Sequence, residues 1–459
     1  MCEKLALATH IEDYNFGDKR LNSRLIRLYN QLGMDIECGV SEVITNPYQL
    51  KGFYRFINNK KVMASDLVQI FQRYSEELVG AESVVLAIQD TTELDYTSQR
   101  SAENLGCLEY ARKKGLYLHN HILVNDLGLP LGLFSQRFWA RSVESLGTSK
   151  KRKYAPIEQK ESYRWLAEFE SLQETFVSQT DKQIIQICDR ESDISELLTA
   201  RKYEHIHYII RNSNARIDVE TGLKLPQVLA KHEPCFHYKQ QVHTQKGEVR
   251  AAFLSVRYRK VQLNAPYRKG KKLPQPTVWV VEAKEDHPPE NQPGLCWRLL
   301  CSMPVESPQM AQKVIGFYTL RWVIERFHYI LKQGKKVEKL QIVQPQALQN
   351  AIVLQGWIAL KVMTLAYLPR TNPELKIEQA GFKKEDYELV YLFLTQTKRN
   401  KISYHTDPTI EQFAKLIALL GGSPLQKNRP LGTITLWRGL KTFAIIRATS
   451  QIVKDVGKQ

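Results

Sequence analysis

Apolar residues in the first seventy positions recur with the spacing of helices. Asp18 can cap a helix whose apolar side carries Leu21, Leu25, Leu28 and Leu32. Its outer side carries the arginines Arg20, Arg24 and Arg27. A later helical segment, Tyr48–Asn59, has Phe53 and Phe56 on its apolar side and presents Lys51 and Arg55. Helices with a basic outer face are typical of a DNA-end-recognition module, although an ordinary charged helical subdomain has the same pattern.

From about residue 80 the pattern changes to short, continuous apolar runs, which are typical of strands buried on both faces. Three predicted strands, Val84–Asp90, Leu116–Asn125 and Gly132–Phe138, come before a helix at Glu158–Leu172 and a fourth strand that ends at Asp189. Between Arg211 and about Met303 the helical signal disappears. Strand-like runs there predict an inserted antiparallel sheet, with strands at Tyr238–Val242, Val249–Tyr258 and Thr277–Glu282.

The remaining apolar patterns predict three further helices. One continuous helix is predicted over Pro308–Lys336. Ile352–Leu368 is interrupted by polar residues and indicates a core helix, not a membrane span. Leu436–Val456 is a final helix with apolar residues at Leu440, Phe443, Ile446 and Ile452. This face suits pairing between subunits or docking onto the chain's own body, and the pattern leaves both open.

The length of 459 residues predicts three domains. Their expected limits are 1–70, 71–368 with the β insertion at about 212–303, and 369–459. The seven cysteines are odd in number and form no C-x-x-C pair, which favours reduced thiols in a cytosol. We expect no signal peptide, because no sustained apolar stretch follows Met1.

Charge favours a polyanionic partner. The chain has 65 Lys and Arg against 48 Asp and Glu, a surplus of 17 positive charges. The cations cluster at Lys150–Lys153, Arg257–Lys260 and Arg268–Lys272, with Tyr154, Tyr258 and Tyr267 among them. Such clusters suit contact with a nucleic-acid backbone, and each alone is also compatible with a solvated loop.

Three acids form the candidate chemistry. Asp90 and Asp189 each close a predicted central strand, and the crevice beyond strand ends is where open α/β sheets bind ligands. With Glu325 from a nearby helix they would give the oxygen-only cage that a pair of Mg²⁺ or Mn²⁺ ions requires. The alternative is that the two aspartates are a turn residue and a helix cap. Three strands, a helix and a fourth strand, with acids on the first and fourth, is the order of an RNase H-like core.

Further residues lie at helical spacing around Glu325. Tyr318, Arg321, Glu325 and Lys332 share one face of the predicted helix at about 100° per residue, which suits a surface that holds a metal ion and phosphates. A solvated helix face is the alternative. The pairs His119-x-His121 and His205-x-His207 are interpreted as packing or phosphate-adjacent residues, because neither has a third ligand nearby.

The motifs D-T-T at Asp90, D-R-E-S-D at Asp189 and Y-x2-R-x3-E-x6-K at Tyr318 together resemble the signature of the DDE transposases of bacterial insertion sequences, most closely their Y-R-E-K group. The resemblance extends over nearly the whole chain and is weakest after about Pro369. Its other matching segments are Phe16–Leu21, Tyr54–Asn59, Lys160–Ser162 and Trp437–Gly439.

The resemblance implies an RNase H-like catalytic core interrupted by an antiparallel β insertion, between an all-helical N-terminal domain and a mainly helical C-terminal dimerisation domain. It implies cut-and-paste transposition, with Asp90, Asp189 and Glu325 binding two Mg²⁺ that Mn²⁺ can replace. Tyr318, Arg321, Lys332 and Arg211 would hold DNA phosphates, and Trp297 aligns with a tryptophan that stacks on a flipped base.

The implied partners are double-stranded DNA, both transposon ends and target, and a second copy of the chain in a synaptic complex in the bacterial cytosol, with no membrane. One alternative is a nuclease or resolvase on the same core, which would cut but not join. Another is a domesticated, non-catalytic DNA-binding protein, against which the three intact acids argue.

Overall fold

The computed structural model describes residues 2–32, 44, 46–147, 155–243, 249–268, 271–290, 294–380, 382–397, 402–423 and 431–456. The helices are α1 Cys2–Asp13, α2 Lys19–Leu32, α3 Pro47–Ile57, α4 Ala64–Leu78, α5 Tyr163–Phe176, α6 Ser195–Leu198, α7 Leu225–Ala230, α8 Pro308–Thr319, α9 Trp322–Tyr329, α10 Pro345–Thr371, α11 Lys384–Thr397, α12 Ile410–Leu420 and α13 Thr433–Val456. The strands are β1 Val84–Asp95, β2 Gly115–Asn125, β3 Pro130–Trp139, β4 Gln183–Cys188, β5 Ile206–Arg211, β6 Phe236–His243, β7 Val249–Gln262, β8 Tyr267–Arg268, β9 Lys271–Lys272, β10 Thr277–Glu285 and β11 Cys296–Cys301.

The protein is a mixed α/β chain that divides into two compact units. The first comprises residues 1–80, 91–144 and 325–459, and the second comprises residues 81–90 and 145–324. The division into three domains expected from the sequence stays a prediction.

The N-terminal helices of the first unit agree with the sequence pattern. Helix α2 buries the four leucines of the predicted stripe, and α3 buries Phe53 and Phe56. Asn46 caps α3 through its side-chain oxygen, and Pro47 occupies the first turn, where a missing N–H costs nothing. These apolar faces hold the two helices so that their basic residues lie on the outside.

The core of the first unit is built on helix α10 and the antiparallel hairpin β2–β3. Helices α4 and α10 both pack on β3, and the rings of Phe71 and Trp357 stack at 4.6 Å between them. Helix α10 is long and apolar enough to cross a membrane by length and composition alone. However, 72% of its most apolar 18-residue window is buried, as in the core helix of a globular unit.

The apolar face of the final helix, α13, is buried in its first half and exposed near its end. Leu440 and Phe443 are buried at 6% and 5% exposure, where α13 packs on α12. Of the two roles that the sequence left open for this face, docking onto the chain's own body therefore applies to the first half of α13. Ile452 is 64% exposed and continues the helix beyond this contact.

The second unit contains a mixed sheet with strand order β1-β4-β5-β11-β10-β7-β6. Its first three strands are parallel, and the strands of the insertion follow as antiparallel neighbours. Leu299 pairs with Arg211, so β11 joins the insertion to the edge of the parallel strands. The predicted insertion thus continues the central sheet. It also contains the short helix α7, which the sequence pattern missed because six residues are too few to show a helical period.

The prediction of one continuous helix over Pro308–Lys336 is wrong. Helix α8 ends at Thr319, α9 begins at Trp322, and a π-helical segment follows at Ile330–Gly334. At the break, the amides of Leu320 and Arg321 bond three residues back instead of four, and the Thr319 hydroxyl bonds the carbonyl of Gly316. These bonds tighten the chain out of α-helical geometry. The four residues of the stripe therefore do not share one helix face.

Candidate functional site

Asp90 and Asp189 lie on neighbouring parallel strands of the second unit. The register pairs Ile88 of β1 with Ile187 of β4 as the last pair of the ladder, and Asp90 and Asp189 each lie two residues further along the chain. Because paired strands lie about 4.8 Å apart and side chains alternate between faces, both carboxylates project on the same side of the sheet. Burial, together with the charges of Asp189 and Asp90, raises the pKa of the intervening Cys188 thiol. Asp189 directly follows β4, as the sequence predicted, whereas the prediction that Asp90 closes its strand is wrong, because β1 continues to Asp95.

The sequence also allowed the two aspartates to be a turn residue and a helix cap, and only the cap is found. Asp90 is not a turn residue, because β1 continues to Asp95. Asp189 does act as a cap: its Oδ1 accepts a hydrogen bond of 2.9 Å from the amide of Glu191. The cap orients the Asp189 side chain at the end of β4.

Arg321 reaches the first of these acids. Its Nη1 lies 3.4 Å from Oδ2 of Asp90, and both side chains are largely buried. The guanidinium also lies 5.3 Å from the ring of Trp322, which is 60% exposed. Arg321 can stand over the acid because the chain breaks between α8 and α9 at this residue. Trp322 is not recognisable as a site residue in the sequence, because it lies outside the helical spacing of Tyr318, Arg321, Glu325 and Lys332.

Tyr318 contributes a buried hydroxyl to the same region. The residue is 3% exposed, and its Oη makes no well-aligned hydrogen bond to a described residue, although the guanidinium of Arg211 lies close enough to interact with it. Burial raises the pKa of this phenol, while the guanidinium groups of Arg321 and Arg211 oppose the shift. Trp297 of β11 meets the Tyr318 ring edge-on, with centroids 6.1 Å apart. Leaving such a hydroxyl unpaired costs about 1–3 kcal/mol.

Arg211 ends β5 and donates from Nη2 to the carbonyl of Cys296, 3.3 Å away. The loop that follows it is held by Asp193, the last residue of D-R-E-S-D, which the sequence analysis did not assign a role. Its Oδ2 accepts from the Asn212 side chain and from the amides of Ser213 and Asn214, and its Oδ1 pairs with Arg216. Asp193 thereby fixes the loop beside Arg211. The sequence does not reveal this role, because the residues that Asp193 bonds lie about twenty positions further along the chain.

Glu325 and Lys332 belong to the first unit. Glu325 lies half-buried in the first turn of α9, four residues after Arg321. Lys332 lies in the π-helical segment, where its Nζ donates to the carbonyl of Glu93 at 2.9 Å and pairs with Glu338 at 3.2 Å. π-Helical segments are rare and occur frequently at functional sites.

The donor chemistry of the acids suits a hard divalent cation, since carboxylate oxygens are the ligands that Mg²⁺ and Mn²⁺ prefer. Within the described part of the chain, no three His, Cys, Asp or Glu side chains are grouped closely enough to hold a metal ion. In the second unit, Asp90 and Asp189 each lie two residues beyond the last pair of adjacent parallel strands, and Asp90 is paired with Arg321. The three-acid cage of the sequence analysis stays a prediction.

The two histidine pairs have protein partners. His119 bonds Thr91 at 2.9 Å through Nδ1, and His121 packs edge-on against Phe134. In the second unit, His205 bonds the carbonyl of Phe176 and His207 bonds Gln183. Burial lowers the pKa of His207 to about 4, so its neutral form persists at neutral pH. The packing interpretation of these histidines is confirmed.

The basic residues of the N-terminal helices are accessible. Arg20, Arg27, Lys51 and Arg55 are exposed, and Arg24 is half-buried beside Gly52 of α3. Arg20 pairs with Asp18 at 2.9 Å at the start of α2. The basic cluster Lys150–Lys153 with Tyr154 lies outside the described residues, as does Lys269.

Comparison with known structures gives a distant likeness. The protein is similar to a chain in the cryo-EM structure of the piggyBac transposase synaptic complex with hairpin DNA, at 8% identity and a TM-score of 0.37, over 94% of this chain and 73% of that one. A TM-score this low does not establish a common fold. Comparison with protein families is more specific: residues 4–62 match the family model described as Transposase DNA-binding. The segment that presents Arg20, Arg24, Arg27, Lys51 and Arg55 is therefore similar to the DNA-binding segments of transposases.

Proposed function

We propose that this protein is a DDE transposase of the bacterial Y-R-E-K group, with an RNase H-like core, that moves DNA by cut-and-paste transposition. One observation supports the proposal most directly: Asp90 and Asp189 each lie two residues beyond the last paired residues of two adjacent parallel strands, and Arg321 pairs with Asp90. The transposase-like DNA-binding segment at residues 4–62 supports the choice of substrate. Double-stranded DNA, as both transposon end and target, is the proposed partner, and the bacterial cytosol is the proposed location.

Asp90, Asp189 and Glu325 would hold two Mg²⁺, or Mn²⁺ in their place. When bound, the metal supplies activation of the attacking oxygen and stabilisation of the leaving oxygen in phosphodiester displacement. The chain's own cations position the DNA. Arg321, which pairs with Asp90 in the protein alone, would exchange that carboxylate for a DNA phosphate, and a guanidinium binds phosphate oxygens well because it offers several fixed donors.

Tyr318, Arg211, Lys332 and Trp297 would provide further contacts with the cleaved DNA strand. The buried Tyr318 hydroxyl has a donor to offer to a phosphate oxygen, and Arg211 and Lys332 would add positive charge. Trp297, which touches the Tyr318 ring, would give a stacking surface to a base flipped from the DNA end.

The proposed reaction has three stages. Water nicks the DNA at the end of the element, and the freed 3′-hydroxyl attacks the opposite strand to give a hairpin. After the hairpin is opened, the 3′-hydroxyl joins target DNA. Two copies of the chain would act together on paired ends, with the exposed end of α13 around Ile452 as the proposed contact.

A joining assay tests this proposal against a nuclease or resolvase. Purified protein would be incubated with Mg²⁺, DNA that carries the element's inverted repeats, and a supercoiled target plasmid. Transposition predicts hairpin ends and covalent joining of the 3′ ends to the plasmid. Cleavage without joined product would favour the nuclease, and binding without cleavage would favour a non-catalytic DNA-binding protein.

A further inference from the structure

A buried chain of polar side chains lies in the first unit behind the helix that bears Glu325. Gln136 of β3 donates from Nε2 to Oδ1 of Asn120 on β2, at 2.8 Å. Asn120 in turn contacts Nε2 of His328 on α9, at 2.9 Å. The exposures of these three residues are 6%, 0% and 8%, so water is excluded from the chain.

The direction of these bonds follows from their donors. Since Oδ1 of Asn120 accepts from Gln136, its Nδ2 is left to donate to His328, whose Nε2 accepts. Asn120 and Gln136 are also register partners across the hairpin, which holds the amide of Asn120 in place. Gln136 is confined from the other side: a Cβ at Gly356 of α10 would come within 3.0 Å of its amide.

Helix α9 needs such an anchor because its own hydrogen bonds do not fix its rotation. It has eight residues, begins after a tight turn at Arg321, and runs into the π-helical segment. A helix this short is marginal by itself. The buried side chains of Val323, Ile324 and Phe327 attach α9 through apolar contacts, which have no preferred direction, whereas the hydrogen bond that His328 accepts from Asn120 is directional.

We propose that Asn120 and His328 are positioning residues that fix the rotation of α9, and with it the direction of the Glu325 carboxylate. Glu325 and His328 are three residues apart on α9, so they lie on neighbouring positions of one helix face. The inference rests on the proposed function, in which Glu325 binds metal. Groups that hydrogen-bond a metal ligand directly affect metal affinity about 10- to 100-fold, and we expect these two residues, which act through the helix, to lie at the lower end of that range.

The test uses the full chain and Mn²⁺ alone, with free Mn²⁺ counted by electron paramagnetic resonance. His328→Leu removes the acceptor and should raise the Mn²⁺ dissociation constant about tenfold. His328→Gln keeps an acceptor oxygen and should restore it to within about threefold of the wild type. Thr364→Val is the matched control, because the Thr364 hydroxyl on α10 bonds the carbonyls of Pro130 in the same hairpin, at 3.0 Å, and of Leu360, at 3.1 Å, and neither acceptor belongs to α9.

A second measurement does not depend on metal. Deuterium exchange of amides 322–334 should be faster in His328→Leu than in Thr364→Val.

If His328→Leu does not fold, Gln136→Met serves in its place and should give smaller changes in the same directions. Equal Mn²⁺ affinity and equal exchange in the His328→Leu and control variants would overturn the inference. Glu325→Gln separates the two claims: unchanged Mn²⁺ affinity in that variant would contradict the proposed function, while the exchange comparison would still decide the positioning role.

Discussion

The guanidinium of Arg321 lies 3.4 Å from a carboxylate oxygen of Asp90, although the two residues are 231 positions apart in the chain. This pair places a cation against Asp90, which lies on the strand next to the one that Asp189 follows. In the protein alone, Arg321 thus offsets part of the negative charge that neighbouring carboxylates create. Phosphate binding by Arg321 would release Asp90 for a metal ion, which links the binding of DNA to the assembly of the site.

Arg321→Ala should weaken binding to DNA ends and reduce the salt dependence of binding, because one phosphate contact is lost. The slope of log affinity against log salt should fall by about 1. Filter binding or fluorescence anisotropy at several salt concentrations would measure it. Arg321→Lys is the control that keeps the charge and should retain most of the slope, whereas an unchanged slope in Arg321→Ala would exclude a phosphate contact.

Tyr318→Phe should have opposite effects on stability and on catalysis. The Tyr318 hydroxyl is buried and makes no well-aligned hydrogen bond among the described residues, although Arg211 lies near it, so its removal should leave the free energy of unfolding unchanged or raise it by about 1 kcal/mol. Cleavage of end DNA should nevertheless slow severalfold, because a donor to phosphate is lost. Thermal melts and single-turnover cleavage would test both effects. A destabilised variant with normal cleavage would assign Tyr318 to packing alone.

Removing both Lys51 and Arg55 should weaken DNA-end binding by roughly tenfold at moderate salt, since both are exposed on α3 in the transposase-like segment. Gel shifts with the double alanine variant would measure it. Lys384→Ala removes an exposed cation from α11 and is the matched control. Similar affinities for the control and the double variant would assign end binding to another surface.

Stability should fall on acidification through His207. Burial lowers the pKa of His207 to about 4, below its ordinary value of about 6.5, so the unfolded chain binds the extra proton first. The contribution of neutral, buried His207 to the free energy of unfolding is fully present above pH 6.5. It is lost as the pH falls to about 4, by roughly 3 kcal/mol at most. Denaturant unfolding at pH 7 and pH 4.5 should show a smaller loss in His207→Phe than in the wild type. Parallel losses would mean that other groups cause the acid sensitivity.

The strands that bear the aspartates could be predicted because each is a continuous apolar run with an acid directly after it. The N-terminal helices could be predicted for a similar reason, since their leucines and phenylalanines keep a helical period that tertiary packing preserves. The break at Arg321 could not, because it depends on backbone bonds three residues back, which any helix former can make.

Long-range pairings were also invisible in the sequence. The bond between Asn120 and His328 spans 208 residues, and nothing in the sequence connects the polar triplet His119–His121 with His328. The pairing of β11 with β5 depends on which sheet edge is available after folding, so the sequence predicted an inserted antiparallel sheet without showing that it joins the parallel strands. The packing of Trp437 onto Gly334, where a Cβ would come within 1.7 Å of the indole ring, explains part of the Trp437–Gly439 segment, which sequence analysis recognised only as a resemblance.

The most direct test of the account replaces each acid by its amide: Asp90→Asn, Asp189→Asn and Glu325→Gln. Each keeps the shape of the side chain and removes one negative charge, so DNA-end binding through the N-terminal segment should persist. The measurement is cleavage of end-containing DNA in Mg²⁺, with a gel shift on the same preparations. We predict normal end binding and loss of cleavage in all three variants. Cleavage at the wild-type rate in any one of them would contradict the assignment of that residue, and cleavage in all three would contradict the DDE mechanism.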